Sequence, residues 1–394
     1  MATAQKGPNR RAPKSKTAAP KAKAKPAKTG AKKAAVAKPR AKRPKLSVRA
    51  VLALADDASQ SDAAIAAALA AMPEKGKAEV AAKWTARVTS GDTALVTRLL
   101  AMFELTALSA TDASALAPVI APLRAVGGLP EVFSHLENAM SSERAVVREA
   151  VCELWLADAG AQTTFDASQI DKLVRCAIAI AEAGDGRPDT RAAITALSRI
   201  SHPGGRRALI EAIRHARASR TPELVEGLYA GLAGTGARDV VPFLVERLYV
   251  ERAAFGPLVA AVAATVDNAA HRQVLASLAA RAQDPSAIRA LTLYADAVVV
   301  RGRSGGRLVE LARAVLAWSP TNNDDARRLR HVFELALDAA VALARDVDAG
   351  AFLARANQLP DSPYSDYHVL ARNTRTPALF EAARIREYLA SGIR

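Results

Sequence analysis

The sequence predicts an all-α fold, an α-solenoid of roughly nine to ten antiparallel helix hairpins preceded by a disordered basic tail. Three observations carry this expectation. Leu197 and Leu209 recur as Leu232 and Leu244, a period of 35 residues, and each pair encloses a short Gly-bearing connection: His202, Pro203, Gly204 and Gly205 in the first, Gly234, Thr235 and Gly236 in the second. From Leu46 onward, apolar residues return at helical spacing in about twenty segments, with Ser, Thr or Asp at many starts and Gly or Pro between them. Before Leu46 the chain is a different kind of polymer.

Residues 1–45 hold 16 Lys and Arg, six prolines and no Asp or Glu, so the formal charge of +16 sits entirely there. The remainder carries 39 basic against 39 acidic residues. Residue choice changes at the same point: 12 of the 16 lysines precede Leu46 and 35 of the 39 arginines follow it. Such a segment cannot build a core and is expected to be disordered. Closely spaced cations on an extended chain can follow a phosphate backbone and release its counterions without reading bases. Lys21, Lys23, Lys25, Lys28, Lys32, Lys33, Lys38, Arg40, Lys42, Arg43 and Lys45 are the expected contacts to nucleic acid, DNA first, or another polyanion. The alternative is a solubilising tail. The lysine-alanine-proline runs around Lys21 and Lys33 resemble linker-histone tails and those of bacterial histone-like proteins. The run from Lys38 to Lys45 would also pass for a nuclear localisation signal in a eukaryote; alanine and arginine usage argues for a high-GC bacterium instead.

Half of the residues are apolar and only 4% aromatic, which suits helices packed closely in a regular array. Two cysteines, Cys152 and Cys176, argue for a reducing compartment and read as buried small hydrophobes. The longest apolar stretch, 257–266, is too short for a membrane span. With no apolar signal core at the N-terminus, the expected location is the cytoplasm, with nucleoid association as the variant.

Within the body, one apolar position recurs at Leu99, Leu136, Leu173, Leu209, Leu244, Leu275 and Leu308. In the best unit, Leu224, Val225, Leu228, Tyr229 and Leu232 line one face of a helix over 221–232, and Val240, Val241, Leu244, Val245 and Leu248 line one over 239–248. Pro242 fits a first turn behind a cap at Asp239. Val240, Val241, Pro242, Phe243 and Leu244 look like the second-helix opening of HEAT repeats. Val147 to Val151 with Leu154 looks like their first-helix core. Residues 92–318 thus resemble the short bacterial HEAT-like type, whereas the Trp, Gly-Tyr and Pro signature of tetratricopeptide repeats and the base-reading triplet of pumilio repeats are missing. The chain divides into the tail (1–45), HEAT-like repeats (46–318), and C-terminal repeats and cap (319–394). That last segment holds a long helix over 324–344 and Tyr364, Tyr367 and Tyr388, and reads as a cap or, alternatively, a docking site.

No catalytic constellation, cofactor motif or metal site is expected. Gly302, Arg303, Ser304, Gly305 and Gly306 match a G-x-S-x-G nucleophile elbow after Val298, Val299 and Val300, but no other run could make the parallel sheet that it needs. Arg301, Arg303 and Arg307 around the same glycines are a weaker phosphate-loop candidate, without the Gly-Lys-Ser/Thr ending. His135, His202, His215, His271, His331 and His368 are scattered, each reading as a loop or partly exposed helix residue. From Arg199 to Arg220 six arginines face only Glu211. The HEAT resemblance implies that second helices line a concave surface, which would put Arg206, Arg207, Arg214 and Arg217 on a groove able to meet phosphates. The alternative is a solvated face paired with acids of the next repeat.

The expected function is a non-enzymatic scaffold that binds protein partners on its helical surface and is held near nucleic acid by its tail. One alternative is an enzyme or a DNA-groove binder, because HEAT-like folds include alkylpurine DNA glycosylases, with Trp84, Trp155, Trp318 and several aspartates imagined in the cleft. The other is a protein adaptor whose tail is incidental.

Overall fold

In the computed structural model the described residues are 46–184, 186–215, 221–236, 238–252 and 254–301, with single positions between 307 and 328. The predicted tail, the glycines after Arg301, Leu308, Arg217, His331, His368 and the C-terminal tyrosines lie outside them. Among the described residues the regular structure is entirely helical, with sixteen α-helices and no strand.

Short polar side chains start many of these helices. Ser47 and Ser61 accept from the exposed backbone N–H groups opening α1 (Val48–Asp56) and α2 (Asp62–Ala70), and Asp92 does so for α4 (Thr93–Ser109), which follows α3 (Glu74–Thr89). Asp166 and Gln169 form a reciprocal capping box on α9 (Ala167–Glu182). Proline occupies the first turn of α5 (Ala117–Arg124), α6 (Pro130–Met140), α10 (Pro188–Ser198), α12 (Pro222–Gly234) and α13 (Val241–Val250), where its missing N–H costs nothing. The helix α7 (Ala145–Val151) widens into one π turn, Cys152–Leu156, before the short α8 (Ala159–Gln162). The remaining helices are α11 (Arg206–His215), α14 (Phe255–Thr265), α15 (Asn268–Ala280) and α16 (Ala287–Arg301).

The helices pack in two series. α1 meets α3, α3 meets α5, α5 meets the π turn, α10 meets both α7 and α12, α12 meets α14, and α14 meets α16. In the other series α2 meets α4, α4 meets α6, α6 meets α9, α9 meets α11, and α13 meets α15. Chain neighbours such as α9 and α10, α11 and α12, or α13 and α14 join the two. The buried apolar side chains between them form one continuous cluster from Val51 to Trp318. The predicted faces are buried as expected: Leu224, Leu228, Tyr229, Leu232, Val240, Val241, Leu244 and Leu248 are interior, and Val225 and Val245 border them.

Two local expectations are corrected, and one alternative already set aside is bounded. Asp239 does not cap α13; it lies in a 3₁₀ turn, Arg238–Val240, which moves the cap to Val240. The recurring position is buried at Leu99, Leu136, Leu173, Leu209 and Leu244, but in α15 the interior residue is Val274 while Leu275 is half-buried, a one-residue shift of the helix face. Val298, Val299 and Val300, the run in front of the supposed elbow, belong to α16. The run that would have to be the elbow's strand is therefore helical.

Side chains tie successive units together at helix ends, where terminal carbonyls lack intrahelical partners. Arg98 of α4 donates to Ala55 O (2.8 Å) and Asp57 O (3.0 Å) at the end of α1. Arg144, before α7, donates to Ala107 O and Ala110 O at the end of α4, and Arg289 of α16 to Tyr249 O at the end of α13. Each places a fixed cation on the negative end of a helix dipole. Buried Gln162 bridges two connections: its amide donates to Leu156 O and Arg199 O and accepts from the N–H groups of Ser201 and His202.

Candidate polyanion interface

The first turn of α11 follows directly on the 3₁₀ turn Pro203–Gly205, so Arg206, Arg207 and Arg214 emerge from one short helix whose other face carries buried Ala208, Leu209, Ala212 and Ile213. Together with Pro203, Gly204, Ile210 and Glu211 the three arginines line a hollow of about 490 Å³. Arg206 is mostly buried and pairs with Asp239 at 2.5 Å. Arg207 is 80% exposed and donates from Nε to Glu211 at 3.0 Å. Arg214 lies 3.6 Å from Glu246 and 5.4 Å from the centroid of the Phe243 ring. Glu211 also receives Arg175 of α9 at 2.7 Å, and the two guanidiniums, Arg175 before Arg207, hold its carboxyl below the usual carboxylate range.

As the alternative reading expected, the arginines pair with acids further along the chain, here Asp239 and Glu246, which the sequence reading did not name. They lie 33 and 32 residues beyond their arginines, close to the repeat period of 35, which was the available signal. The α11 face is therefore a network of paired charges. Exposed pairs of this kind are worth little, about 0–1 kcal/mol each, so Arg207 can still trade Glu211 for a phosphate at small cost.

The other singled-out residues take structural places. Trp84, Trp155 and Trp318 are all buried in the core, so none lines a cleft. Cys152 is buried, and desolvation pushes its thiol up to about 12, too high for thiolate chemistry; Cys176 is only half-buried, against expectation. His135 bonds to Glu131 O and Glu104, and His202 accepts from Gly204 N through Nδ1. His271 corrects the expectation of partial exposure: it is 1% exposed and its Nδ1 lies 2.6 Å from the hydroxyl of Tyr294. Burial lowers its pKa to about 4. Arg307 donates to Val266 O at 3.1 Å and to Asn268, so it anchors the α14–α15 junction.

Among the described residues no group of three or more His, Cys, Asp and Glu is placed to hold a metal ion, and no helix is long and apolar enough to cross a membrane. Compared with family models, curated proteins and solved structures, the chain finds no match.

Proposed function

We propose that the chain is a HEAT-like α-solenoid scaffold whose lysine-rich tail tethers it to nucleic acid while the helical body binds protein. The charge partition carries the reading: all of the +16 lies in residues 1–45, and the body is neutral as a whole. A neutral helical body has no long-range pull on DNA, so association by charge falls to the tail. The packing of helices on their next-but-one neighbours supports the solenoid part, because stacked hairpins offer extended surface instead of a deep pocket. The enzymatic alternative loses its proposed aromatic residues to the core. Protein partners are expected on the exposed helix faces, and the tail raises their local concentration near DNA.

The test uses the full-length chain with Lys21, Lys23, Lys25, Lys28, Lys32, Lys33, Lys38, Arg40, Lys42, Arg43 and Lys45 changed to Gln. Binding of a mixed-sequence DNA duplex is measured across a salt series. The tether predicts that affinity collapses and that the slope of log K against log salt flattens by roughly 0.9 for each phosphate that the tail ceases to neutralise. Equal affinity and slope in the two proteins would refute it.

A further inference from the structure

Where α6 and α9 end and α7 and α10 begin, the body carries a hollow of about 530 Å³. Its wall is largely aliphatic: Met140 and Ile180 are buried there, Ala179 is exposed, and the thiol of Cys176 is half-buried. Its charged lining is two acids, Glu143 and Asp189, and two arginines, Arg148 and Arg187. Arg148 is engaged through three nitrogens. Its Nε and Nη2 donate to Asp189 Oδ2 at 2.8 and 2.5 Å, and its Nη1 donates to Ser142 O. Arg187 serves the same carboxylate less well, because its Nε lies 3.8 Å from Oδ1, within Coulombic reach but too far for a hydrogen bond. Asp189 Oδ1 is therefore buried without a hydrogen-bond partner, in a residue that is 1% exposed. Glu143, exposed, enters no side-chain hydrogen bond or ion pair among the described residues.

A buried carboxylate oxygen without a donor is costly, and a group that brings a charged N–H to it gains a strong bond. We infer that the hollow binds a primary alkylammonium group, which donates to Asp189 Oδ1, has Glu143 as a second anion, and lays its aliphatic chain on Met140 and Ile180. The shape of the head decides between cations. A guanidinium is broad and planar, and that of Arg187 already stands near Oδ1 without reaching hydrogen-bond range. An ammonium is a compact point charge with three donors on a slim stem, so it can enter where the fork does not. Arg187 is 49% exposed and can swing aside at small cost, leaving the Arg148 contacts to Oδ2 in place. The stem of an alkylammonium favours apolar surface, which the wall supplies. A free aliphatic amine and a partner's lysine side chain share this chemistry; the lysine source rests on the reading that the body binds protein.

The experiment titrates n-butylammonium into the full-length protein by calorimetry, with n-butanol as the neutral isostere, and follows alkylation of Cys176 by iodoacetamide over the same range. Cys176 lines the hollow, so its rate reports occupancy there, while Cys152, buried with its thiol pushed up to about 12, stays silent. The site predicts saturable binding of butylammonium, roughly tenfold or more tighter than butanol, with a parallel change in the Cys176 rate. No saturable binding, equal binding of butanol, or binding that leaves the Cys176 rate untouched overturns it. Asp189→Asn keeps the shape and should reduce butylammonium to the affinity of butanol, with thermal unfolding as the control for folding. Where that variant unfolds, Ala179→Phe, at an exposed position of the wall, should weaken binding severalfold by filling the hollow. Unchanged affinity in a folded variant overturns the site. Nα-acetyl-lysine N-methylamide separates the sources: affinity at least equal to that of butylammonium assigns the site to a partner's lysine, and loss of affinity assigns it to a free amine. Failure of the tail's DNA tether leaves this result unaffected.

Discussion

A carboxylate as deeply buried as Asp189, 1% exposed, is tolerable because Arg148 of α7 meets one oxygen with Nε at 2.8 Å and Nη2 at 2.5 Å while Arg187 Nε lies 3.8 Å from the other. That pair joins α7 to the first turn of α10, where a negative charge also suits the helix dipole. His271 sits in an equally dry place, and the carboxylate that faces it compensates only in part. Tyr294 stacks on its ring, with centroids 5.7 Å apart, and Glu310, 3.6 Å from Nε2, is shared with Arg272 at 3.1 Å. Arg307 adds a positive charge nearby. Burial dominates, so His271 stays neutral when folded, with a pKa near 4 against 6.5 in the unfolded chain. The sign follows: between those values the unfolded state binds the extra proton. The stability contribution is whole above pH 6.5 and is lost as pH falls toward 4, by roughly 3 kcal/mol at the bottom of that window. Urea unfolding of wild type and His271→Gln at pH 7, 5.5 and 4.5 should show the wild type losing more stability on acidification than the variant. Parallel loss would mean that His271 titrates normally.

At the level of elements, α12 shows what the repeat period hides. Gly227, Gly231 and Gly234 fall on one face of this helix, and a Cβ there would lie 3.1, 2.1 and 2.3 Å from the carbonyl oxygens of Ile194, Leu197 and Ile200 in and after α10. Glycine inside a helix costs about 1 kcal/mol relative to alanine. Here it lets two backbones approach closely. Gly231→Ala is therefore expected to destabilise the protein by about 2–3 kcal/mol, through overpacking, instead of stabilising it by propensity; a shift of the urea midpoint with an unchanged slope checks this. The helical content and the buried faces were legible because period 3.6 survives in Leu224, Leu228 and Leu232 and in Val241, Leu244 and Leu248. The ends were less so. A 3₁₀ turn displaced the cap from Asp239, a π turn at Cys152–Leu156 left no compositional trace, and the shift at Val274 depends on how α15 rotates against α13. The candidate site was legible only as cations. Which of them keep a free face depends on acids about one repeat away, such as Asp239 and Glu246, and no local window of sequence contains both partners.

On the scale of the whole molecule, the shift from lysine to arginine at Leu46 acquires a structural cause. In the body, Arg98, Arg144 and Arg289 each reach a helix-terminal carbonyl 37 to 43 residues away with a rigid, multiply donating head, a task for which lysine is poorly suited. These ties, like the packing of α10 on α12 and α12 on α14, connect residues about one sequence period apart, and the proposed solenoid would pass stability from neighbour to neighbour. In such an arrangement a local lesion should stay local. Hydrogen exchange of Gly231→Ala tests this at the scale where it matters. Amides of α10, α12 and α14, which meet at the lesion, should lose protection, while those of α1 to α4, several units away, should exchange as in the wild type. Uniform loss along the chain would instead mean that the helices unfold as one cooperative body, and the neighbour-to-neighbour account of their stability would fail.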